Sequence, residues 1–170
     1  MRYIMLDLDG VLTTGPSRAA GGPSMFDARA VKQIERLVSL SQASVVIHSS
    51  WRKLPDAPEP PWAFPPADSW WNWSLPWFKG LCRSQGAHEL ASSVVGEAPF
   101  RLNSERGEEV KWWMDDNHIY GNSYVVLDDQ MELITPWLEG RPDVLTVKTN
   151  DGFGLTEGQV DMIITWWGID

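Results

Sequence analysis

The chain has 170 residues, the length of one ordinary domain, enough to bury a full core without disulfides or a structural metal. Its 23 acidic and 14 basic side chains give a formal charge of -9, which argues against wrapping extended nucleic acid or lying on an anionic membrane, since both need a basic face. A single cysteine, Cys82, excludes an intramolecular disulfide and fits a reducing compartment, and no apolar run is long enough to span a bilayer.

The first apolar run, Tyr3-Ile4-Met5-Leu6, ends in Asp7-Leu8-Asp9-Gly10 and reads as a buried strand entering a loop. The acids Asp7 and Asp9 stand where a signal peptide would carry its apolar stretch, so a cytoplasmic location is expected. Residues 11–26, rich in glycine, proline and small polar side chains, read as loop. From Asp27, a candidate N-cap, Val31, Ile34, Leu37 and Val38 recur at helical spacing. A second buried strand, Ser44-Val45-Val46-Ile47-His48, ends at Ser49-Ser50-Trp51.

Residues 52–78 change character. Pro55, Pro58, Pro60, Pro61, Pro65, Pro66 and Pro76 exclude a regular helix or central strand over most of this stretch. Trp62, Trp70, Trp71, Trp73 and Trp77 are interleaved with them, and a disordered linker would be poor in aromatics. The stretch reads as an ordered Trp/Pro-rich insertion: either a self-packed apolar cover or a lid whose rings stack on a base. Residues 77–85 read as a short helix stopped by Gly86, and Val94-Val95 as a weak third strand. Val110, Trp113 and Met114 mark one helical face between Gly107 and His118, with Glu108 and Glu109 in the first turn, where the dipole favours acids. Tyr124-Val125-Val126-Leu127 is a strand ending at Asp128-Asp129, and Val144-Leu145-Thr146-Val147 a fifth. Thr156-Glu157-Gly158-Gln159 is a capping-box pattern, followed by the stripe Val160, Ile163, Ile164 and Trp167.

Strands alternating with helices imply an α/β fold, a parallel sheet with helices on both faces, in a single domain over residues 1–170. Ligands bind such sheets at the carboxyl ends of the strands. Three strands end in polar chemistry there: Asp7/Asp9, Ser49/Ser50 and Asp128/Asp129. If strand geometry persisted, Asp7 and Asp9 would face one side. Clustered carboxylates need a cation, and hard oxygen ligands without His or Cys suit Mg²⁺. A hydroxyl at Ser49 and a cation at Arg106 or Lys111 would serve phosphate oxygens, so the set reads as a phosphoryl-transfer site. His48, His88 and His118 form no ligand pattern; His48 reads as a core histidine and Cys82 as an inert thiol. Arg52 either reaches substrate at the crevice edge or pairs with a surface acid.

Asp7-Leu8-Asp9-Gly10-Val11 resembles the first motif of the haloacid dehalogenase (HAD) superfamily of phosphatases. Val45 to Ser49 is similar to its second motif and Val125-Val126-Leu127-Asp128-Asp129 to its fourth. Arg106-Gly107-Glu108-Glu109-Val110 with Trp113 resembles small HAD phosphatases, including those associated with nucleic-acid repair. The resemblance runs through most of the chain in order and is weakest across residues 52–100. It implies a Rossmann-like HAD fold. With little room for a cap between Gly10 and Asp27, and about fifty residues between Trp51 and Gly107 that must also supply core elements, a capless or minimally capped form is expected.

The resemblance also implies roles. Asp7 would attack phosphorus and Asp9 would protonate the leaving group, then activate water. Asp7, the backbone carbonyl of Asp9 and Asp128 would hold Mg²⁺, with Asp129 a direct or water-mediated contact. Ser49, with Ser50 its neighbouring rival, would hydrogen-bond the phosphoryl group. The third-motif cation is Arg106, 22 residues before Asp128, or else Lys111. The expectation is a Mg²⁺-dependent phosphomonoesterase acting on a nucleotide or a phosphorylated nucleic-acid end. Its rivals are a phosphatase of a sugar phosphate or other small metabolite, and a HAD-like binding module without turnover.

Overall fold

The apolar runs assemble into one parallel sheet whose central strand carries the first acidic motif. A computed structural model describes residues 1–21, 25–52, 74–101, 103–118 and 121–169. In it β1 (Arg2–Leu6), β2 (Ser44–Ile47), β3 (Val94–Glu97), β4 (Ser123–Asp128) and β5 (Val144–Lys148) lie in the order β3-β2-β1-β4-β5, every pairing parallel. The helices are α1 (Gly15–Gly21), α2 (Ala28–Ser41), α3 (Leu75–Ser84), α4 (His88–Ser93), α5 (Arg106–Asp116), α6 (Thr135–Leu138) and α7 (Glu157–Trp166). This is the Rossmann-like α/β architecture expected.

Side-chain alternation along the strands divides the core in two. Ile4, Leu6, Val45, Ile47, Val125 and Leu127 pack on one face with Val31, Ile34 and Leu37 of α2, Phe78 and Cys82 of α3, Leu90 of α4, and Val160 and Ile163 of α7. Met5, Val46 and Val126 point the other way, against Val110 and Met114 of α5 and against Met131, Ile134 and Leu138. Tyr3 stacks on Tyr124 at 5.6 Å and meets Trp113 edge-on at 5.2 Å, so one of the helical tryptophans closes this second layer.

The caps read from sequence are made. Asp27 accepts the Arg29 backbone N–H at the start of α2, and Gln159 accepts the Thr156 N–H at 2.9 Å at the start of α7. Three segments differ from expectation. Residues 15–21 form α1 rather than loop. Thr14 N–H donates to Ser17 Oγ (2.9 Å) and Ser17 N–H to Thr14 Oγ1 (3.1 Å), a reciprocal closure that holds the first turn although Pro16 sits in it. α4 is too short to show a helical period; its first amides, Glu89 and Leu90, donate to the Glu35 carboxylate of α2 at 2.9 and 2.8 Å, a tertiary cap. α3 begins at Leu75, capped by Ser74 with Pro76 in its first turn, so the irregular stretch ends earlier than residue 78. Residues 53–73 of the Trp/Pro-rich insertion, with Trp62, Trp70, Trp71 and Trp73, lie outside the described residues; Trp77 packs half-buried on the core from α3. Among the described residues no helix is long and apolar enough to cross a membrane.

The first turn of α5 is set by a close approach. A Cβ on Gly107 would stand 2.6 Å from the Leu133 carbonyl oxygen and 2.6 Å from a Trp137 ring carbon. Only glycine lets α5 lie this near the chain between β4 and α6. Gly107→Ala is therefore expected to cost about 1–3 kcal/mol in chemical denaturation, the usual penalty of overpacking. An unchanged midpoint would show that the contact yields freely.

Candidate active site

The site forms where strand order reverses, at the carboxyl end of β1 between β2 and β4. Leu6 is in register with Ile47 and Leu127, so the next residues in line are Asp7, His48 and Asp128. Asp7 N–H donates to Leu127 O and His48 N–H to Leu6 O, both at 3.0 Å, which carries the ladder one residue past β1. Asp7 and Asp128 thus stand side by side for reasons of backbone register alone. Asp129 completes a cluster with them, one oxygen from each lying within 4.8 Å of the others. Gly10, at φ +67°, makes room for it: a Cβ there would overlap the Asp129 side chain at 2.5 Å.

Arg106, the first residue of α5, reaches into this cluster. Its Nη1 donates to Asp7 Oδ2 at 2.8 Å and to both oxygens of Asp128 at 2.9 and 3.1 Å. Asp128 Oδ1 also accepts the Gln130 N–H at 2.6 Å. Burial pushes the Asp7 carboxyl up to about 7; Arg106 pulls it down, Asp128 pushes it up, and the Ser49 hydroxyl beside it favours the charged form. Asp129 is also raised, by burial first and Asp128 second. Burial works against the Arg106 charge, yet Asp7 and Asp128 hold its pKa above the ordinary value.

The cluster fits a hard divalent cation. Asp7 Oδ1 and Asp129 Oδ1 are buried and have no hydrogen-bond partner among the described residues, an arrangement that costs free energy unless a cation or donor meets them. The donor set is all carboxylate oxygen, the chemistry of Mg²⁺ rather than of a softer metal.

The remaining candidates fall in different places. Ser49 is fully buried beside Asp7, whereas Ser50 is half-buried in the tight turn that follows. Lys111 is not in the site: one helical turn past Arg106, it pairs with Asp115 at 2.5 Å on the exposed side of α5. The Asp9 carboxylate stands outside the metal cluster, because strand geometry does not persist. The amides of Val11, Leu12 and Thr13 all turn back to Leu8 O, curling the chain and directing Asp9 sideways. Its Oδ1 accepts from Thr13 Oγ1 and its Oδ2 from Trp51 Nε1, both at 2.9 Å. His48 is in the core as expected, but its ring nitrogens have no hydrogen-bond partner among the described residues; Nδ1 lies 3.7 Å from Asp128 Oδ2. Burial, then Arg106 and Arg52, holds its pKa well below the usual range, so the ring is neutral. The Cys82 thiol is raised to about 12 by burial, which leaves it inert.

Sequence reasoning missed the support behind the site. Arg52 neither reaches out to substrate nor pairs at the surface. It is buried, and its guanidinium donates to Ser49 O (2.9 Å), His48 O (2.8 Å), Ala98 O and Glu109 Oε2 (2.7 Å). Glu109, in the first turn of α5 as expected, is fully buried and also accepts from Ser104 Oγ at 2.6 Å. The pair ties the turn bearing Ser49 to the helix bearing Arg106. The Arg-Gly-Glu-Glu spacing, which puts Arg106 and Glu109 on one helical face, was the available signal.

Two outcomes follow. Glu109→Ala should lose about 3–5 kcal/mol in denaturant unfolding, because it strands a buried guanidinium, while Lys111→Ala should change stability by less than about 0.5 kcal/mol. Equal losses would mean that the buried pair carries no special weight. The second concerns pH. In metal-free protein the folded state keeps the Asp7 proton up to about 7 and the unfolded chain releases it near 3.8, so this stability is present at low pH and lost as pH rises through 7. Buried neutral His48 acts in the opposite sense, losing stability as pH falls below 6.5, so the comparison must be a difference. Thermal unfolding in chelator should show Asp7→Asn gaining on the wild type from pH 5 to pH 8; a constant difference would place the Asp7 pKa near its ordinary value.

Residues 3–160 match the sequence family described as the HAD domain in Swiss Army Knife RNA repair proteins. Comparison with curated proteins and with solved structures finds no match.

Proposed function

The chain belongs to the family of HAD domains in Swiss Army Knife RNA repair proteins, and on that premise we propose that it is a Mg²⁺-dependent phosphomonoesterase working through an aspartyl-phosphate. One observation carries this reading. The fully buried carboxylate Asp7 has one oxygen held by Arg106 and the other without a hydrogen-bond partner among the described residues, in a cluster of acids at the strand ends.

In the first half-reaction an Asp7 oxygen forms a bond to phosphorus as the ester oxygen leaves. Asp9 gives that oxygen its proton, so an alcohol departs and Asp9 becomes a carboxylate. In the second half-reaction water attacks the same phosphorus, Asp9 takes the water proton, and the Asp7 carboxylate is released with inorganic phosphate. Arg106 keeps part of the negative charge around Asp7 neutralised while it reacts, and Ser49 donates to a phosphoryl oxygen. Mg²⁺ held by Asp7, Asp128, Asp129 and the Asp9 carbonyl would supply neutralisation of phosphate charge. Lys111 has no part in this chemistry, since it is engaged with Asp115.

The substrate is a nucleotide or a phosphorylated nucleic-acid end, in keeping with the RNA-repair proteins that name the family. The formal charge of -9 favours a mononucleotide or a short end over a long polymer, whose backbone needs cations along its path. The same charge keeps a small sugar phosphate as the second reading.

The test is Mg²⁺-dependent phosphate release from nucleoside monophosphates, oligonucleotides phosphorylated at either end, and sugar phosphates. Wild type should turn over, and Asp7→Asn should lose activity by about 10³-fold or more while keeping its fold, because an amide cannot form the acyl-phosphate. Wild-type turnover by Asp7→Asn would exclude the covalent route. Folded, metal-binding protein inert on the whole panel would favour a binding module.

A further inference from the structure

We infer that Trp51 is a positioning residue for Asp9, fixing the carboxylate that delivers the proton to the leaving group; the inference rests on the acid–base role of Asp9 proposed above. The indole Nε1–H donates to Asp9 Oδ2 at 2.9 Å, while Thr13 Oγ1 donates to Oδ1 at 2.9 Å from the other end. An indole N–H is a donor only, so this bond has one sense and one direction. Two elements thus hold the two oxygens: the turn after β1 and the turn after β2. The carboxylate plane is set by both.

Trp51 is suited to this because its own position is fixed. Its ring is half-buried and packs on the larger core cluster. Its backbone N–H faces Ser49 Oγ at 3.4 Å. The next residue, Arg52, is locked by the carbonyls of His48 and Ser49 and by Glu109. The turn that carries Trp51 is therefore the same rigid turn that carries the hydroxyl beside Asp7. Arg18 does not do this work. Its guanidinium stands 3.6 Å from Asp9 Oδ1, is partly exposed and is engaged by Asp151 at 2.5 Å.

Magnitudes separate orientation from stability. The Asp9 side chain is 42% exposed, and an interaction this wet contributes little to folding. Proton transfer, by contrast, is sensitive to misplacement of about 1 Å. A bond of small folding value between a packed indole and a proposed proton donor is best understood through the proton it aims.

The experiment uses leaving-group dependence. An alkyl phosphate monoester, the best of the substrate panel, needs its leaving oxygen protonated; p-nitrophenyl phosphate releases a stable phenolate that does not. The ratio of their kcat/KM values reports only steps up to leaving-group departure, so water attack on the aspartyl-phosphate does not enter. Trp51→Phe keeps an aromatic ring and removes the N–H. The alkyl-to-aryl ratio should fall about tenfold, part of the full worth of a general acid. A purely packing role would lower both substrates together, and an unchanged ratio overturns the inference. Asp9→Asn must depress the same ratio; if it does not, the acid–base reading of Asp9 fails, which is a different result. Adding Trp51→Phe to Asp9→Asn should lower the ratio no further, and a further fall would mean that Trp51 acts by another route. Should Trp51→Phe not fold, the contact is read in the otherwise native protein. The assigned Trp51 indole N–H resonance should move on Asp9→Ala, and a resonance that stays in place overturns the inference.

Discussion

One guanidinium nitrogen between two buried carboxylates is the contact on which the site depends. Parallel register forces Asp7 and Asp128 together at the ends of adjacent strands, and two ionised carboxylates in a dry site repel strongly. Arg106 Nη1 lies between them. Its effect is incomplete: burial still outweighs it, and Asp7 stays raised to about 7. Three carboxylates and one guanidinium make a cluster that is short of positive charge by about what one divalent cation carries. Asp7 Oδ1 and Asp129 Oδ1, which have no hydrogen-bond partner among the described residues, belong to the same imbalance. Such a cluster is poor for stability on its own and well formed for holding a cation together with a dianionic phosphate.

Placing that nitrogen requires the whole first turn of α5 to sit correctly. Gly107 sets how near the helix comes to Leu133 and Ile134, and Glu109 sets its rotation by reaching the buried Arg52. Arg52 in turn fixes the backbone of His48 and Ser49. A chain of contacts therefore runs from the hydroxyl beside Asp7, through Arg52 and Glu109, to Arg106 and back to Asp7. Each member is rigid because the next is buried. This answers a recurrent demand of phosphoryl transfer, in which catalysis comes mainly from holding charges at fixed places.

The parts of this arrangement that are local in sequence were legible there. The strands showed as apolar runs, α2 and α7 announced their caps, and each acidic motif stood at the end of its own strand. Arg106 could be preferred over Lys111 from its place at a helix start. What could not be read were bonds between distant segments. α4 is capped by Glu35, which lies on another helix. Glu109 could be placed in the first turn of α5 but not paired, because nothing in its neighbourhood names Arg52, 57 residues away. Whether Asp9 shares the face of Asp7 depends on the strand period continuing past Leu6, and the turn around Leu8 O, a matter of backbone bonds, breaks that period. α1 was hidden by its glycines and proline, since the closure between Thr14 and Ser17 that holds it is a matter of side-chain geometry.

The break in period is what makes the two carboxylates of the first motif different. Asp7, one residue past β1 and still on the ladder, is sealed, its side chain 1% exposed. Asp9, two residues on, has a side chain 42% exposed. A continued strand would have given both the same face, the same burial and the same charge problem. The curl at Leu8, made possible by Gly10 at positive φ with Asp129 packed against it, separates them. One carboxylate is then sealed in a dry site, held on one oxygen by the single guanidinium of Arg106. The other sits at the rim, held by Thr13 and Trp51; in the mechanism proposed above the first is the nucleophile and the second the proton donor. Pairs of acids whose environments are driven apart in this way can take opposite parts in one reaction. Here the separation comes from a single turn of backbone and not from any difference in the residues themselves.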